Sequence, residues 1–334
     1  MMARAKQAPK RSPKASKASA GKQSRKKASK AGNAAAAAHA DSRTSGVQTA
    51  EVLAPLVNGY SIGRGSEKSI IVPNASQLAA LQDVTVSGTL LKKQLVRLTG
   101  SNQREARLAA NNGAYTIEGD GDLHFDLGTE QLQPHVPCEL QNARDWLAWF
   151  RNRVGASISV SGFFRCLFEH PGFSSNDDAH IFEIHPVRAV LIDGQMQAFD
   201  VDIPDQSSIH TWTSPHPLQD QDNRIQVQYD SGSDTLTFTA MDGQDENYVS
   251  VTGRISGIDL KQHSDAPATF TFDSQDIGTP LQGLCLKGTS AAKQLAGLGG
   301  HTNVQMIVLR NIDLSKALNN VYAINLLAID IQAQ

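Results

Sequence analysis

Four side chains in this 334-residue chain have types and spacing suited to joint chemistry. Asp122 and His124 stand two residues apart, and so do Glu183 and His185. On a strand, residues i and i+2 share a face, so each pair would present a carboxylate beside an imidazole. If the two faces meet across a barrel, two imidazoles and two or three carboxylates converge. That set could hold a divalent metal and polarise a phosphodiester. The same residues can instead form a buried network in which each imidazole donates to a carboxylate. The network is the preferred reading, because no H-x-x-H or H-E-x-x-H spacing accompanies the pairs. A metal role for Asp122, His124, Glu183 and His185 is the alternative, and no cofactor is expected. His170, His180, His216 and His301 are scattered and read as loop or surface residues. There is no G-x-S-x-G elbow, no Walker loop, and no G-x-G-x-x-G after a strand, so no nucleophile or nucleotide loop is visible.

A second candidate set is Phe163, Phe164 and Arg165. Proteins that grip single-stranded nucleic acid combine a basic groove with aromatic rings on which bases stack. Neighbours on a strand point to opposite sides, so one of the two adjacent phenylalanines should face outward. Phe168 lies on the same segment. Lys92, Lys93, Arg97, Arg188, Arg254 and Lys261 add positive charge on expected outer strands. Against this, aromatics make up only 6% of the chain. In the competing reading the phenylalanines pack a core and the charges are solvated edges that deter strand pairing.

Charge is very unevenly placed. Residues 1–50 hold 12 Lys and Arg against one acid, a charge of +11, while the rest holds 19 basic and 32 acidic residues, or −13. A basic arm on an acidic body points to a polyanionic partner. Lys10, Arg11, Lys14, Lys17, Lys22, Arg25, Lys26, Lys27 and Lys30 are the expected phosphate contacts. Residues 10–31, reading KRSPKASKASAGKQSRKKASKA, resemble the Lys/Ala/Ser/Pro tails of linker histones and bacterial histone-like proteins. Such a segment cannot bury enough apolar surface to offset its ordering entropy and is expected to be disordered. It has no apolar signal core and no Leu, Ile, Phe or Val between Met2 and Val47, so neither export nor an organelle transit peptide is expected. No run approaches the roughly 18–20 apolar residues of a membrane helix. Three widely spaced cysteines fit a reducing, cytoplasmic setting, nucleoid-associated if the source is bacterial, and no disulfide framework.

The elements that must position these residues come in two similar sets. Val84-Thr-Val-Ser-Gly-Thr-Leu90 and Val249-Ser-Val-Thr-Gly-Arg-Ile255 are alternating strands, each with a glycine at the same place. Each is followed by an alternating strand (122–127, 268–273), a short strand (136–140, 284–287) and a short helix (143–153, 290–298). Two long strands close each set (156–168 with 180–192, and 303–312 with 322–331). Three strands, a helix, then two strands is the order of the OB-fold, a five-stranded Greek-key barrel. The first-strand glycine suits a strand that must bend to serve both sides of the barrel. The expected architecture is mainly β: tandem OB-like five-stranded Greek-key barrels, each with one short helix, after a disordered basic tail. The boundaries are 1–50 for the tail, 51–193 for the first barrel, 194–223 for a linker and 224–334 for the second barrel. A hairpin at 225–239, turning at Asp230–Asp234, extends the second barrel or bridges the two. Ser69–Val72 is an added edge strand, Gly59–Gly65 is linker, and Gly297–Gly300 caps a helix.

The first set also resembles an uncharacterised family of small bacterial OB-like proteins. The resemblance rests on Asp120-Gly121-Asp122-Leu123-His124 and on Phe182-Glu183-Ile184-His185-Pro186-Val187, where the family has Trp at the first position of the second motif. It covers about 122–192 and implies a fold but no reaction. The second set lacks both motifs. The expected function is a non-enzymatic nucleic-acid-binding protein, with sequence-independent phosphate attraction from the tail and a modest single-strand preference from the barrels. The alternatives are a metal-dependent phosphodiesterase or nuclease on the first barrel, and a protein–protein interaction module tethered by its tail.

Overall fold

The computed structural model describes residues 67–91, 122–129, 136–141, 146–169, 180–199, 225–241, 248–262, 266–274 and 276–334, with short pieces at 50–51, 57–58, 98–99, 132–133, 211–212 and 218. The basic N-terminal segment and its nine named cations lie outside the described residues, as do Lys92, Lys93 and Arg97. Residues 43–334 form one compact unit.

In chain order the first half contains β1 (Glu67–Pro73), α1 (Ala75–Leu78), β2 (Asp83–Leu90), β3 (Asp122–Gly128), β4 (Val136–Leu140), α2 (Leu147–Arg151), β5 (Ser157–Glu169), β6 (His180–Ile192) and β7 (Gln195–Ala198). The second half contains β8 (Ile225–Asp230), β9 (Thr235–Met241), β10 (Tyr248–Asp259), β11 (Ala268–Ser274), β12 (Leu281–Cys285), α3 (Ser290–Gly297), β13 (Thr302–Ile312), α4 (Leu314–Ala317) and β14 (Ile324–Ala333).

Two barrels close with the same connectivity. In the first, β2 pairs β3, β3 pairs β4, β4 runs parallel to β6, β6 pairs β5, and β5 returns to β2. In the second, β10, β11, β12, β14 and β13 repeat the circuit, again with one parallel step between the third and fifth strands. Strand order 1-2-3-5-4 with a helix between the third and fourth strands defines the OB-fold. Both barrels have it.

The alternation seen in the sequence is the alternation of burial. Val84, Val86 and Leu90 of β2, and Ala268, Phe270 and Phe272 of β11, point into their cores. The first-strand glycines sit where β2 and β10 pair neighbours on both sides: Gly88 beside Ile158, with Thr89 paired to both Ser157 and Gly128, and Gly253 beside both Val304 and Ser274. A Cβ would lie 2.3 Å from the Gly128 carbonyl oxygen at position 88 and 2.4 Å from the Asp273 carbonyl oxygen at position 253. Only glycine lets the sheet close there. Helix α3 begins where the Thr289 hydroxyl accepts from the Ala292 N–H at 3.2 Å, and it buries Ala291 and Leu295. It ends at Gly297, but that residue has no left-handed backbone, so the expected glycine cap does not form there.

The hairpin β8–β9 departs from the expected boundary at 224. It pairs through β9 with β1, from Thr235 opposite Pro73 to Met241 opposite Glu67. Its Leu236 and Phe238 join Ile70, Val72 and the first barrel's core, as do Ile312, Leu314 and Ala317 from β13 and α4. The hairpin therefore packs with the first barrel, and the Ser69–Val72 strand is the middle of β1.

Candidate functional site

Glu183 and His185 lie on β6, alternating with Phe182 and Ile184, which enter the first barrel's core. Their side chains thus leave the barrel outward, and the second barrel covers them. His185 Nδ1 is 2.9 Å from Glu139 Oε2 on β4 and 3.2 Å from Glu183 Oε1. Gln141 Nε2 lies 3.4 Å from His185 Nε2 and donates to the Tyr248 hydroxyl of the second barrel at 2.8 Å. The two carboxylates beside Nδ1 favour a proton on that nitrogen. Arg165 on β5 completes the cluster: Nη1 is paired with Glu183 and lies 3.3 Å from His185 Nδ1, and Nε donates to the Arg310 carbonyl at 2.8 Å. Glu139, Gln141, Arg165, Glu183 and His185 are all buried.

Glu139, Glu183 and His185 offer ligand atoms within 4.8 Å of one another. A divalent ion there would stand against the Arg165 guanidinium, which already supplies positive charge to Glu183. A catalytic ion also needs an open position for water and substrate, and this cluster is sealed between barrels. The geometry is that of a hydrogen-bonded, ion-paired network joining the two barrels. His124 stands opposite Glu139 in register and Asp122 opposite Thr99; the side chains of both lie outside the described residues. The described members, Glu139, Glu183 and His185, lie together on the outer wall of the first barrel.

The expected stacking surface on β5 does not exist. Phe163, Phe164 and Arg165 are 1%, 4% and 0% exposed. The alternation holds, but both sides of β5 are covered at this point. Phe164 turns into the first core, its ring stacked 5.1 Å from Phe182. Phe163 turns outward into a second apolar cluster with Tyr248, Leu284, Leu286, Ile307, Leu309, Leu327 and Ile329 of the second barrel. Arg165 serves as a buried counter-ion. The side chain of Phe168 lies outside the described residues.

Arg165, Gln141, Tyr248 and Arg310 were not singled out for this role from sequence. A signal exists: Arg165 sits within Phe163-Phe-Arg-Cys-Leu167 and Arg310 within Ile307-Val-Leu-Arg310, both on the fourth strand of a barrel. An arginine inside an apolar strand segment asks for a buried partner. Cys166 N–H donates to Asn311 Oδ1 at 2.7 Å, and Arg188 ties Asp83 (3.0 Å) to the Lys287 carbonyl (3.0 Å), adding two more links between barrels. Burial pushes the Asp83 carboxyl up, against the opposing pull of Arg188.

The exposed faces differ between barrels. On β3 and β4 of the first, Asp126 and Glu139 alternate with core residues and are buried acids. On the first three strands of the second, Arg254, Asp273 and Gln282 are exposed and Ser256, Thr269 and Thr271 half-buried. Ser256 stands opposite Thr271, Thr271 opposite Gln282, Gln282 opposite Asn325, and Asn325 opposite Asn311. A row of hydroxyls and amides thus crosses the barrel from strand to strand. Among the described side chains no aromatic is fully exposed; Trp146 and Trp149 are half-buried, with Arg153 3.9 Å above the Trp149 ring. Burial pushes the thiols of Cys138 and Cys166 well up and that of Cys285 to about 12, so all three stay protonated and none offers a thiolate. No helix among the described residues is long and apolar enough to cross a membrane.

No family model and no curated protein matches this chain. Among solved structures, the chain is similar to the wild-type single-stranded DNA binding protein from Thermus aquaticus, at 12% identity and a TM-score of 0.21, over 76% of this chain and 93% of that one. A deletion variant of the same protein matches at 7% identity and a TM-score of 0.20, over 84% of this chain and 91% of that one. The assignment of the fold rests on strand order and closure in this chain itself.

Proposed function

We propose that this is a non-enzymatic nucleic-acid-binding protein. The observation that carries the proposal is the charge split, +11 over residues 1–50 against −13 over the remainder. The N-terminal cations, Lys10 to Lys30 foremost, attract phosphate without regard to sequence. The acidic body repels a polyanion over most of its surface, so close contact is confined to faces that carry little negative charge. The outer face of the second barrel, where Arg254 offsets Asp273 beside Ser256, Thr271 and Gln282, is the described surface that best fits this need. Hydroxyls and amides hydrogen-bond phosphate and sugar oxygens without adding repulsion. The OB-fold accommodates single strands on this side of its barrel, which supports a modest single-strand preference. The setting that fits is the cytoplasm, in association with nucleic acid. A phosphodiesterase reading loses its support because Glu183 and His185 are sealed beneath the second barrel.

The test is a titration of the full chain and of a chain lacking residues 1–42 against single- and double-stranded oligonucleotides at several salt concentrations. The full chain is expected to show a steep fall of log affinity with log salt, each neutralised phosphate of a single strand contributing a slope of about −0.7. The shortened chain is expected to bind weakly with a shallow slope. Equal affinity and equal slope for both would overturn the role of the tail. Absence of binding to either form at low salt would overturn nucleic-acid binding altogether and favour the protein–protein module.

A further inference from the structure

The wall of the first barrel that the second barrel covers does not end at the interface. Phe163 on β5, with Glu183 and His185 on β6, belongs to its covered part. Further along the same strands the same face continues through Ser161 and Ser159 of β5 and Ala189 and Leu191 of β6. Strand register extends it to β2 and β7. One row reads Thr85, Ser161, Ala189, Ala198 from β2 to β7, and the next reads Ser87, Ser159, Leu191, Met196. Neither row holds a charged residue, on a body whose residues 51–334 carry −13. The hydroxyls are matched to one another, Thr85 with Ser161 at 2.8 Å and Ser87 with Ser159 at 2.6 Å. Leu191 and Met196 stand side by side and are 39% and 52% exposed. The Asp83–Arg188 pair, which reaches the Lys287 carbonyl, marks the border between the covered part and this open part.

The edge of this sheet is open as well as its face. Among the described residues β7 pairs with β6 alone. The hairpin turns on Asp193 and Gly194, both with positive φ (52° and 74°), the geometry of a tight two-residue turn. The Phe199 N–H donates to the Arg188 carbonyl at 2.8 Å. Antiparallel bonds recur at every second pair, so Gln195 and Gln197 bond β6, while Met196 and Ala198 turn their N–H and C=O groups to the open side. The Ala198 carbonyl accepts from the Gln197 side-chain amide at 2.8 Å, where a neighbouring strand would offer a backbone N–H. Edge strands are commonly blocked by Lys, proline or a covering segment. Gln195-Met-Gln-Ala198 has neither Lys nor proline.

We propose that β7 is where a second copy of this chain docks, edge to edge and antiparallel about a two-fold axis. A two-fold contact sets a surface against itself, so any charge near the axis meets its own like. An acidic surface is unfit for such a contact, and the uncharged rows are fit for it. The register that uses every outward group of the strand places Met196 of each copy opposite Ala198 of the other. It joins the two β2-β5-β6-β7 sheets into one continuous sheet and brings both Leu191–Met196 pairs to its centre. A nucleic acid fits this edge poorly, because β7 offers no cation and phosphate has no N–H for the Ala198 carbonyl. A strand of 4 residues gives a small interface, so the dimer is weak and concentration-dependent.

The experiment is analytical ultracentrifugation of the full chain over a range of concentrations in high salt, which screens attraction between basic tails and acidic bodies. The wild type is expected to pass reversibly from monomer to dimer as concentration rises. Hydrogen exchange at the Met196 and Ala198 amides is expected to slow along with it. Met196→Lys, at an exposed position, is expected to stay monomeric with an unchanged melting temperature. Ala198→Pro removes an outward N–H, keeps the bonds to β6 and is expected to stay monomeric too; Met196→Lys serves alone if the proline variant does not fold. A wild type that remains monomeric at every concentration overturns the proposal. So does a dimer that the substitutions leave intact, or one whose formation leaves the two amides unprotected, because the contact then lies elsewhere.

Discussion

Arg165 reaches out of the first barrel and bonds Glu183 on one side and the Arg310 carbonyl of the second barrel on the other. Removing it leaves a buried carboxylate facing Glu139 with one cation fewer. Arg165→Ala should cost about 3–5 kcal/mol of unfolding free energy, as for other broken buried pairs. The double variant Arg165→Met, Glu183→Leu should cost clearly less than the sum of the two single changes, because it removes both charges together. Chemical denaturation of the four proteins of that cycle checks this; additive losses would show that the pair is not coupled. Phe163→Ala opens the cluster between barrels and Phe164→Ala opens the first core, and each should cost about 3–5 kcal/mol. Alternation along 157–168 correctly puts these neighbours on opposite sides. What alternation cannot express is that an outward side has been covered by another part of the chain, which is why a stacking surface reads plausibly from Phe163-Phe164-Arg165 and is absent from the fold.

At the level of elements, the two copies of the barrel were legible because the constraint that shapes them is local. A first strand that bends to pair on both sides needs a residue without a side chain, and Gly88 and Gly253 answer that need at the same place. Gly88→Ala and Gly253→Ala each force a Cβ to within 2.3–2.4 Å of a backbone oxygen. Overpacking of this kind should cost about 1–3 kcal/mol at either position, read from urea midpoints; unchanged midpoints would show that the closure does not depend on glycine. The hairpin β8–β9 was legible as a hairpin, since Asp230-Ser-Gly-Ser-Asp234 is a turn in any context. Its partner β1 lies more than 150 residues earlier, and nothing local names it. Helix α1 likewise has no side-chain cap of its own; Asp234 of the hairpin turn accepts from the Ser76 N–H (2.9 Å) and hydroxyl (2.7 Å) and from the Tyr229 hydroxyl (2.9 Å). Burial nudges the Asp234 carboxyl up, but these hydrogen bonds outweigh it and hold it below the usual carboxylate range. A carboxyl depressed in the folded state stabilises above its unfolded pKa, and that contribution fades as pH falls through the folded one. Asp234→Asn, which tolerates the left-handed backbone at this position (φ 50°), should therefore cost up to about 1 kcal/mol at neutral pH, the scale of a lost cap, because solvent screens the site. The gap in melting temperature between variant and wild type should close on acidification; a gap independent of pH would remove the carboxylate from the account.

For the molecule as a whole, the two barrels share an apolar cluster, a buried ion-pair network and hydrogen bonds from Arg165, Cys166 and Arg188. Linked so closely, they should unfold together. Calorimetry is expected to give one transition with equal calorimetric and van't Hoff enthalpies; two resolved transitions would show that the interface adds little. Deleting residues 1–42 should leave that transition in place while removing most affinity for oligonucleotides, since charge on the tail acts through phosphate and not through the core.

The first core is not built from the first half of the chain alone. Leu236 and Phe238 of β9, and Ile312, Leu314 and Ala317 near the far end, complete it. A ribosome delivers those residues after the whole of the first barrel's own strands. Until they emerge, Ile70, Val72 and the neighbouring wall of the first barrel wait uncovered, so the order of synthesis and the order of folding run against each other. The usual pattern, in which an N-terminal domain is finished before the next begins, therefore does not suit this chain, whose first core is completed only by residues of its second half.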